Sequence, residues 1–385
     1  MAEASKGAGA PRFAAGHGAG PDWGACAKAC LDDLGALPGG ANLGFLYATD
    51  TLADDLGSLL AFLRGTTGVE HWVGSVGLGI AASGMEIYEH PAVAVLIAAL
   101  PEESFRVFSP LGGGADDAGL AGFHDAHGRW LAEHTPAFGV AHADPRTQAL
   151  PEVLASLGAA TSAFMVGGLS ASRGAYPQIA ETVTEGGLSG VFFDPGIAVA
   201  AGLSQGCSPV GETHTVSKAE DDVIMEIDGR PALKVFKDDI GELLAHDLRR
   251  IGGYIFAGFP ITGSDTGDYL VRNLVAIDTG RGWIQVGEPV EPGRRVLFCR
   301  RDHDSALADL RRMLKDVQRR AGEAPKAALY FSCVARGRNL FGSDSEELKL
   351  VRDALGDLPL AGFFANGEIS NDRLYGYTGV LAVFR

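Results

Sequence analysis

The feature that most constrains the fold is a pattern that recurs along the chain: an apolar strand, a short helix, a second strand, a glycine-rich stretch and a returning apolar strand. It is densest in Lys326–Arg385. There Ala327–Phe331 reads as a buried strand, and Ser332, Cys333, Arg336, Gly337 and Arg338 follow on a turn. Ser345–Leu355 places Leu348, Val351 and Leu355 on one helical face. Leu360–Phe364 then leads into Asn366, Gly367 and Glu368, and Gly379–Phe384 returns. The same order runs through Asn42–Leu100, with strands at Asn42–Ala48, His71–Val73 and Val93–Leu100, a helix from Asp50 through Leu63 and a loop over Met85–Pro91. It runs again through Phe138–Ala201, with strands at Phe138–His142, Ser162–Val166, Gly190–Phe193 and Ile197–Ala201 and a helix at Glu152–Leu157. Any α/β chain alternates strand and helix. The shared placement of glycines after the second strand (Gly74, Gly77 and Gly79; Gly167 and Gly168; Gly362 and Gly367) is what points to internal duplication.

The expected class is therefore α/β, with a mixed α+β arrangement open, as two lobes built from repeated strand-helix-strand units with glycine-rich loops. At 385 residues the chain is long for a single core, so two domains, or one domain assembled from repeated units, are expected. The start of the chain is rich in Gly and Ala, with Phe13–His17 as a first edge strand, and Asp22 caps a helix over Trp23–Leu34. Between the second and third copies the texture changes. Pro209–Thr215 reads as a polar turn region, Val223–Ile227 as a strand and Asp228-Gly229 as a hairpin turn. Leu233–Leu244 joins a strand end to a helix, and Tyr254–Phe259, Tyr269–Asp278 and Val296–Arg300 read as strands. Asp304–Arg320 is an amphipathic helix with Leu307, Leu310, Leu314 and Val317 on one face.

A net charge of −16 argues against nucleic acid and anionic membrane as principal partners. The amino terminus has no apolar signal region, and nothing reaches the roughly 18 apolar residues of a membrane span, so a cytoplasmic location without membrane insertion is expected. The five cysteines, Cys26, Cys30, Cys207, Cys299 and Cys333, do not form a disulfide framework and suit a reducing compartment. Cys26 and Cys30 lie four apart on a helix without further ligands beside them, and Glu212 with His214 is likewise short of a metal site. Asp50, Asp54 and Asp55 favour a helix start without a metal. GSVGLG at Gly74–Gly79 lacks dinucleotide spacing, and no phosphate-binding GxxxxGK[ST] run occurs, so no metal or cofactor is predicted.

The sharpest constellation is Cys333, Arg336, Asn366 and Glu368, because open α/β sheets place ligands beyond strand ends. Cys333 would be a nucleophile only in an electropositive setting with a base, and no histidine is tied to it by sequence, so no catalytic residue is assigned. Arg336 suits a carboxylate and Glu368 an amino or hydroxyl donor of a small ligand; a structural salt bridge between them, or an arginine capping a carbonyl, uses the same residues. Arg272 and Asn273, on an otherwise apolar strand, serve either a ligand or a buried pair.

With these stretches in view, the chain resembles the FIST family over essentially its whole length. GSVGLG, GGLSASRG, EGGLSGVFF and GCSPVGE resemble the family's N domain, and DGRPAL its turn between strands. YLVRNLVAID, LYFSCVARG, LAGFFANGEI and YTGVLAVF resemble the C domain, so the resemblance implies an N-like domain over 1–205 and a C-like domain over 206–385. The resemblance implies an intracellular sensory or signal-transduction protein that binds a small polar metabolite such as an amino acid, with Cys333, Arg336, Gly367 and Glu368 as ligand positions supported by Arg272 and Asn273. It implies a signal passed to a separate protein or through a homo-oligomer. A cysteine-dependent enzyme and a ligand-independent interaction scaffold are the alternatives.

Overall fold

The computed structural model describes residues 12–112, 118–245, 248, 251–261 and 267–385; the Gly- and Ala-rich start, residues 1–11, lies outside them. The first copy comprises β1 (Arg12–Ala19), α1 (Trp23–Leu34), β2 (Leu43–Thr49), α2 (Leu56–Thr67), β3 (His71–Gly77), β4 (Gly79–Ala82), β5 (Met85–Tyr88) and β6 (Ala92–Ala99). The second comprises β7 (Phe105–Leu111), α3 (Ala118–His134), β8 (Phe138–Ala143), α4 (Leu150–Thr161), β9 (Phe164–Leu169), β10 (Gln178–Ala180), β11 (Thr182–Thr184) and β12 (Leu188–Phe193). The third opens with β13 (Val199–Gln205) and is then interrupted by β14 (Cys207–Glu220), β15 (Val223–Ile227), β16 (Arg230–Pro231), α5 (Ala232–Ala245), β17 (Ile255–Pro260), β18 (Tyr269–Asp278), β19 (Trp283–Val286) and β20 (Arg295–Arg301). It resumes with α6 (His303–Ala321), β21 (Ala327–Cys333), α7 (Glu346–Leu355), β22 (Leu360–Ala365), β23 (Glu368–Ser370), β24 (Arg373–Tyr375) and β25 (Thr378–Phe384).

The repeat is thus longer than its sequence pattern: each copy also has an edge strand and a helix ahead of the strands that the pattern marks. In every copy the two central strands run parallel (β2 with β3, β8 with β9, β21 with β22), and the returning strand pairs antiparallel with the first of them. A short helix links each parallel pair, as that connection requires. The intervening hairpin does not stay with its own copy. β4–β5 pairs with β22, β10–β11 with β3, and β23–β24 with β9. Each six-stranded sheet therefore contains four strands of one copy and a hairpin of another, and the exchange closes a cycle of three.

Most of the glycines expected in loops lie in strands, although Gly367 does lie in the turn between β22 and β23. Gly74 is within β3, Gly167 and Gly168 within β9, and Gly362 within β22. A Cβ on Gly74, Gly167 or Gly362 would stand 1.9, 1.8 or 1.8 Å from the carbonyl oxygen of Leu46, Ala141 or Tyr330 on the parallel neighbour, so close backbone approach explains them. The residues after those carbonyls, Tyr47, His142 and Phe331, occupy equivalent places and meet in the shared core, with ring centroids 5.5, 5.9 and 6.3 Å apart. That core joins the inner faces of all three sheets through Phe45, Leu96, Val140, Val191, Leu329 and Val380. The outer face of the first sheet is covered by Cys26 and Cys30 of α1 and by Leu56, Leu59, Leu60 and Leu63 of α2. Asp22 caps α1 by accepting from the Ala25 N–H at 2.8 Å, and Met85–Tyr88, expected as loop, is a hairpin strand.

Two compact units result. One holds the three copies: residues up to Ser204, Arg311–Leu374 and Thr378–Arg385; the other holds Gln205–Leu310 and Tyr375–Tyr377. The second unit is a closed six-stranded barrel in the order β14, β20, β17, β18, β19, β15 and back to β14. Pro209–Thr215, expected as a turn, is strand. β14 pairs with β20 as far as Thr215 and with β15 from Val216, bulging between Val210 and His214 where it turns the barrel corner. The Asp228-Gly229 turn has φ of 49° and 70°, the left-handed pair that a two-residue hairpin favours. Val216, Ile227, Val235, Phe236, Phe259, Ile284 and Phe298 fill its core.

Candidate functional site

The carboxyl ends of β21 and β22 deliver a cluster of buried polar groups. Ser332 and Cys333 are the last residues of β21 rather than turn residues, because the pairing with β22 runs through Cys333 and Ala365. Three residues later Arg336 turns inward and is fully buried with Glu347, its ion-pair partner at 2.7 Å. Glu347 lies in the first turn of α7, on the face that also buries Leu348, Val351 and Leu355. Its carboxylate accepts from Tyr330 Oη at 2.7 Å, Ser332 Oγ at 3.1 Å, Arg336 Nε at 2.8 Å and the Gly337 N–H at 2.8 Å. A buried carboxylate needs this many donors to replace water. Arg336 also donates to the Ser204 carbonyl at 3.3 Å and lies 5.0 Å from the Phe341 ring centroid. Burial works against the guanidinium charge, but Glu347 more than offsets it and the arginine pKa is raised.

The first copy contributes through its exchanged hairpin. Glu86 and Tyr88 of β5 reach this cluster, with Tyr88 Oη donating to Glu86 Oε2 at 2.8 Å and the Leu348 N–H to Glu86 Oε1 at 3.4 Å. Burial and the Glu347 charge push Glu86 up to about 7. Gly337, at φ 51°, has room for no side chain: a Cβ would fall 2.0 Å from Tyr88 Oη.

Glu368 starts β23 and is buried. Its Oε2 accepts from Thr378 Oγ1 at 2.7 Å and the Thr378 N–H at 3.1 Å, whereas Oε1 has no hydrogen-bond partner. Burial pushes the carboxyl up to about 8, against the pull of the Thr378 bonds and the Arg336 charge. The raised pKa favours the neutral form of the Glu368 carboxyl at pH 7. An unsatisfied buried polar atom is an exception that native structures seldom tolerate.

Of the residues singled out by sequence, Cys333, Arg336, Gly367 and Glu368 are buried at these strand ends, and Asn366 is exposed with its N–H donating to the Leu169 carbonyl. Arg336 and Glu368 feel each other's charge, but the arginine's ion-pair partner is Glu347. Arg272 and Asn273 belong to the barrel unit. There Arg272 Nε donates to Glu288 Oε2 at 2.6 Å, and Asn273 Oδ1 accepts from Tyr377 Oη at 2.8 Å. Sequence reasoning missed Glu347, Glu86, Tyr88 and Ser204. Glu347 had a signal, an acidic residue next to Leu348 on the buried helical face. Glu86 had none, since only the hairpin exchange brings it here.

Family models match the chain as a FIST N domain over residues 42–230 and a FIST C domain over residues 232–371. The chain is 32% identical over 378 residues to the uncharacterized protein Rv0628c of Mycobacterium tuberculosis, covering 94% of this chain and 96% of the relative. It is 30% identical over 358 residues to the uncharacterized protein Mb0898c of Mycobacterium bovis, covering 89% of each. Among solved structures, "T. maritima PurL complexed with ADP" aligns at a TM-score of 0.24 and 11% identity over 97% of this chain and 71% of its own, too weak a likeness to argue from.

Proposed function

The chain belongs to the family that joins a FIST N domain to a FIST C domain, and from that premise we propose that it is a sensory protein whose ligand is a small polar metabolite, an amino acid or related amine, read by Glu368. FIST domains are generally associated with signal transduction and sensing. The observation that carries the reading is the unpartnered Glu368 Oε1, which accepts from a ligand N–H or O–H once the carboxyl is ionised. Arg336 acts on the ligand indirectly: held by Glu347, it biases the charge state of Glu368. Cys333, Asn366 and Gly367 shape the approach, Asn366 marking the nearby surface. Arg272 and Asn273 are proposed as a polar contact of the barrel unit in its own right. In this reading the protein works in the cytoplasm and passes its signal to a separate protein or through a homo-oligomer.

The test is calorimetry on hits from a metabolite thermal-shift screen. An ammonium group requires ionised Glu368, so affinity rises by about tenfold per pH unit from pH 6 to 8 and levels off beyond, with one proton released on binding below pH 8. Glu368→Gln flattens that profile and weakens binding. A screen without hits, or a hit whose affinity is unchanged in Glu368→Gln, overturns the proposal.

A further inference from the structure

The barrel unit holds two cysteines that the ligand reading does not use. In the β14–β20 pairing, Cys299 lies opposite Pro209 and Cys207 opposite Arg301. Cys207 is two residues from Pro209, so both thiols project from the same face of adjacent strands, at diagonal positions whose Cα atoms a disulfide must bring to within about 7 Å. They belong to one apolar cluster with Phe256, Tyr269, Val271 and Leu297. The neighbouring Cys207 thiol, together with burial, raises the Cys299 pKa. Tyr269 Oη donates to the Cys207 carbonyl at 2.6 Å, fixing the strand end that carries it, and Cys299 Sγ stands 3.8 Å from the Phe256 carbonyl. Cys207 is 6% exposed and Cys299 is fully buried, so an oxidant meets Cys207 first.

We propose that Cys207 and Cys299 are a paired dithiol that hydrogen peroxide converts to a disulfide across β14 and β20. Peroxide transfers one oxygen to Cys207, giving a sulfenic acid and one water. The Cys299 sulfur then attacks the Cys207 sulfur, the S–O bond breaks, and the hydroxyl leaves as a second water with the Cys299 proton. Two thiols are oxidised and one peroxide is reduced to two waters. The bond closes a loop containing nearly the whole barrel, so it restrains the unfolded chain of that unit.

The full-length protein is treated with hydrogen peroxide under native conditions, the remaining thiols are alkylated, and the digest is mapped by mass spectrometry without reductant. Met85, 40% exposed, reports through its sulfoxide that the oxidant has acted. The expected result is one dominant linked peptide pair, Cys207 with Cys299, lacking two hydrogens and restored by dithiothreitol. In Cys299→Ser the linked pair is absent and Cys207 is trapped as the sulfenic acid by dimedone. Met85 sulfoxide formation with both barrel thiols still alkylated overturns the proposal. So does a dominant disulfide between Cys26 and Cys30.

Discussion

In each copy a residue just after the first parallel strand, Asp50, Asp144 or Arg336, enters an arginine–carboxylate pair, and the pairs differ in where the arginine lies. In the first copy Asp50 is held by Arg173, a residue of the second copy, with the carboxylate 4% and the guanidinium 62% exposed. In the second, Asp144 and Arg146 show the same asymmetry at 2% and 56%. In the third, Arg336 and Glu347 are both fully buried. The first two arrangements cap a strand end while the cation stays hydrated. The third removes both charges from water, which is a poor source of net stability, since apolar replacements of such pairs often match or exceed it. A scaffold that solves the same structural problem twice at the surface does not need the buried version, and that contrast marks the third copy as the specialised one.

The largest effect that tests the comparison comes from removing the buried cation. Arg336→Met leaves Glu347 without its counter-charge and should lower unfolding free energy by about 3–5 kcal/mol in urea titration. Adding Glu347→Gln should recover part of that loss; a single variant as stable as the native chain contradicts the contrast. Next comes Glu368. Between about pH 4.5 and about 8 its folded carboxyl keeps a proton that the unfolded chain has released, so native stability falls as pH rises through that window. Glu368→Gln should abolish this slope, which approaches about 1.4 kcal/mol per pH unit for one proton, and should gain stability relative to native at pH 8.5. Parallel pH profiles for the two proteins remove Glu368 from its assigned state. The smallest effect belongs to Arg173→Ala, about 1 kcal/mol or less, because the lost cation is solvated and the residue 173 N–H still bonds Asp50. Burial raises the Asp50 carboxyl, but the Arg173 bonds outweigh it and hold the group below its usual range. Its contribution is therefore present at neutral pH and is lost as pH falls through the folded value, below the usual carboxylate range.

Much of the fold is legible in the residues. Ala327–Phe331, Leu360–Phe364 and Val93–Leu100 are buried apolar runs, and all three are strands. Asp22 and Asp228-Gly229 act as their side-chain and backbone chemistry dictates. The glycines misled for a definite reason: a glycine that admits a neighbouring carbonyl and a glycine in a loop have the same letter, and Gly74, Gly167 and Gly362 are of the first kind. At the candidate site, the clustering of Arg336 and Glu368 was visible from their strand-end positions. The identity of the arginine's partner was not, because Glu347 reads equally well as an ordinary acidic residue in a helix's first turn.

What the sequence determined on its own is local: the placement of the apolar strands and the helices, the three-copy repeat and the tight turns, all of which depend on neighbours a few residues apart. Only tertiary structure decided which hairpin pairs with which sheet, that β14 closes a barrel, and that Glu86 approaches Glu347 across more than half the chain. Those outcomes depend on strand edges meeting, and an edge carries backbone donors and acceptors that are the same for every residue type. The sequence therefore specifies the edges without naming their partners, and the buried charges of the third copy acquire their meaning only once the partners are in place.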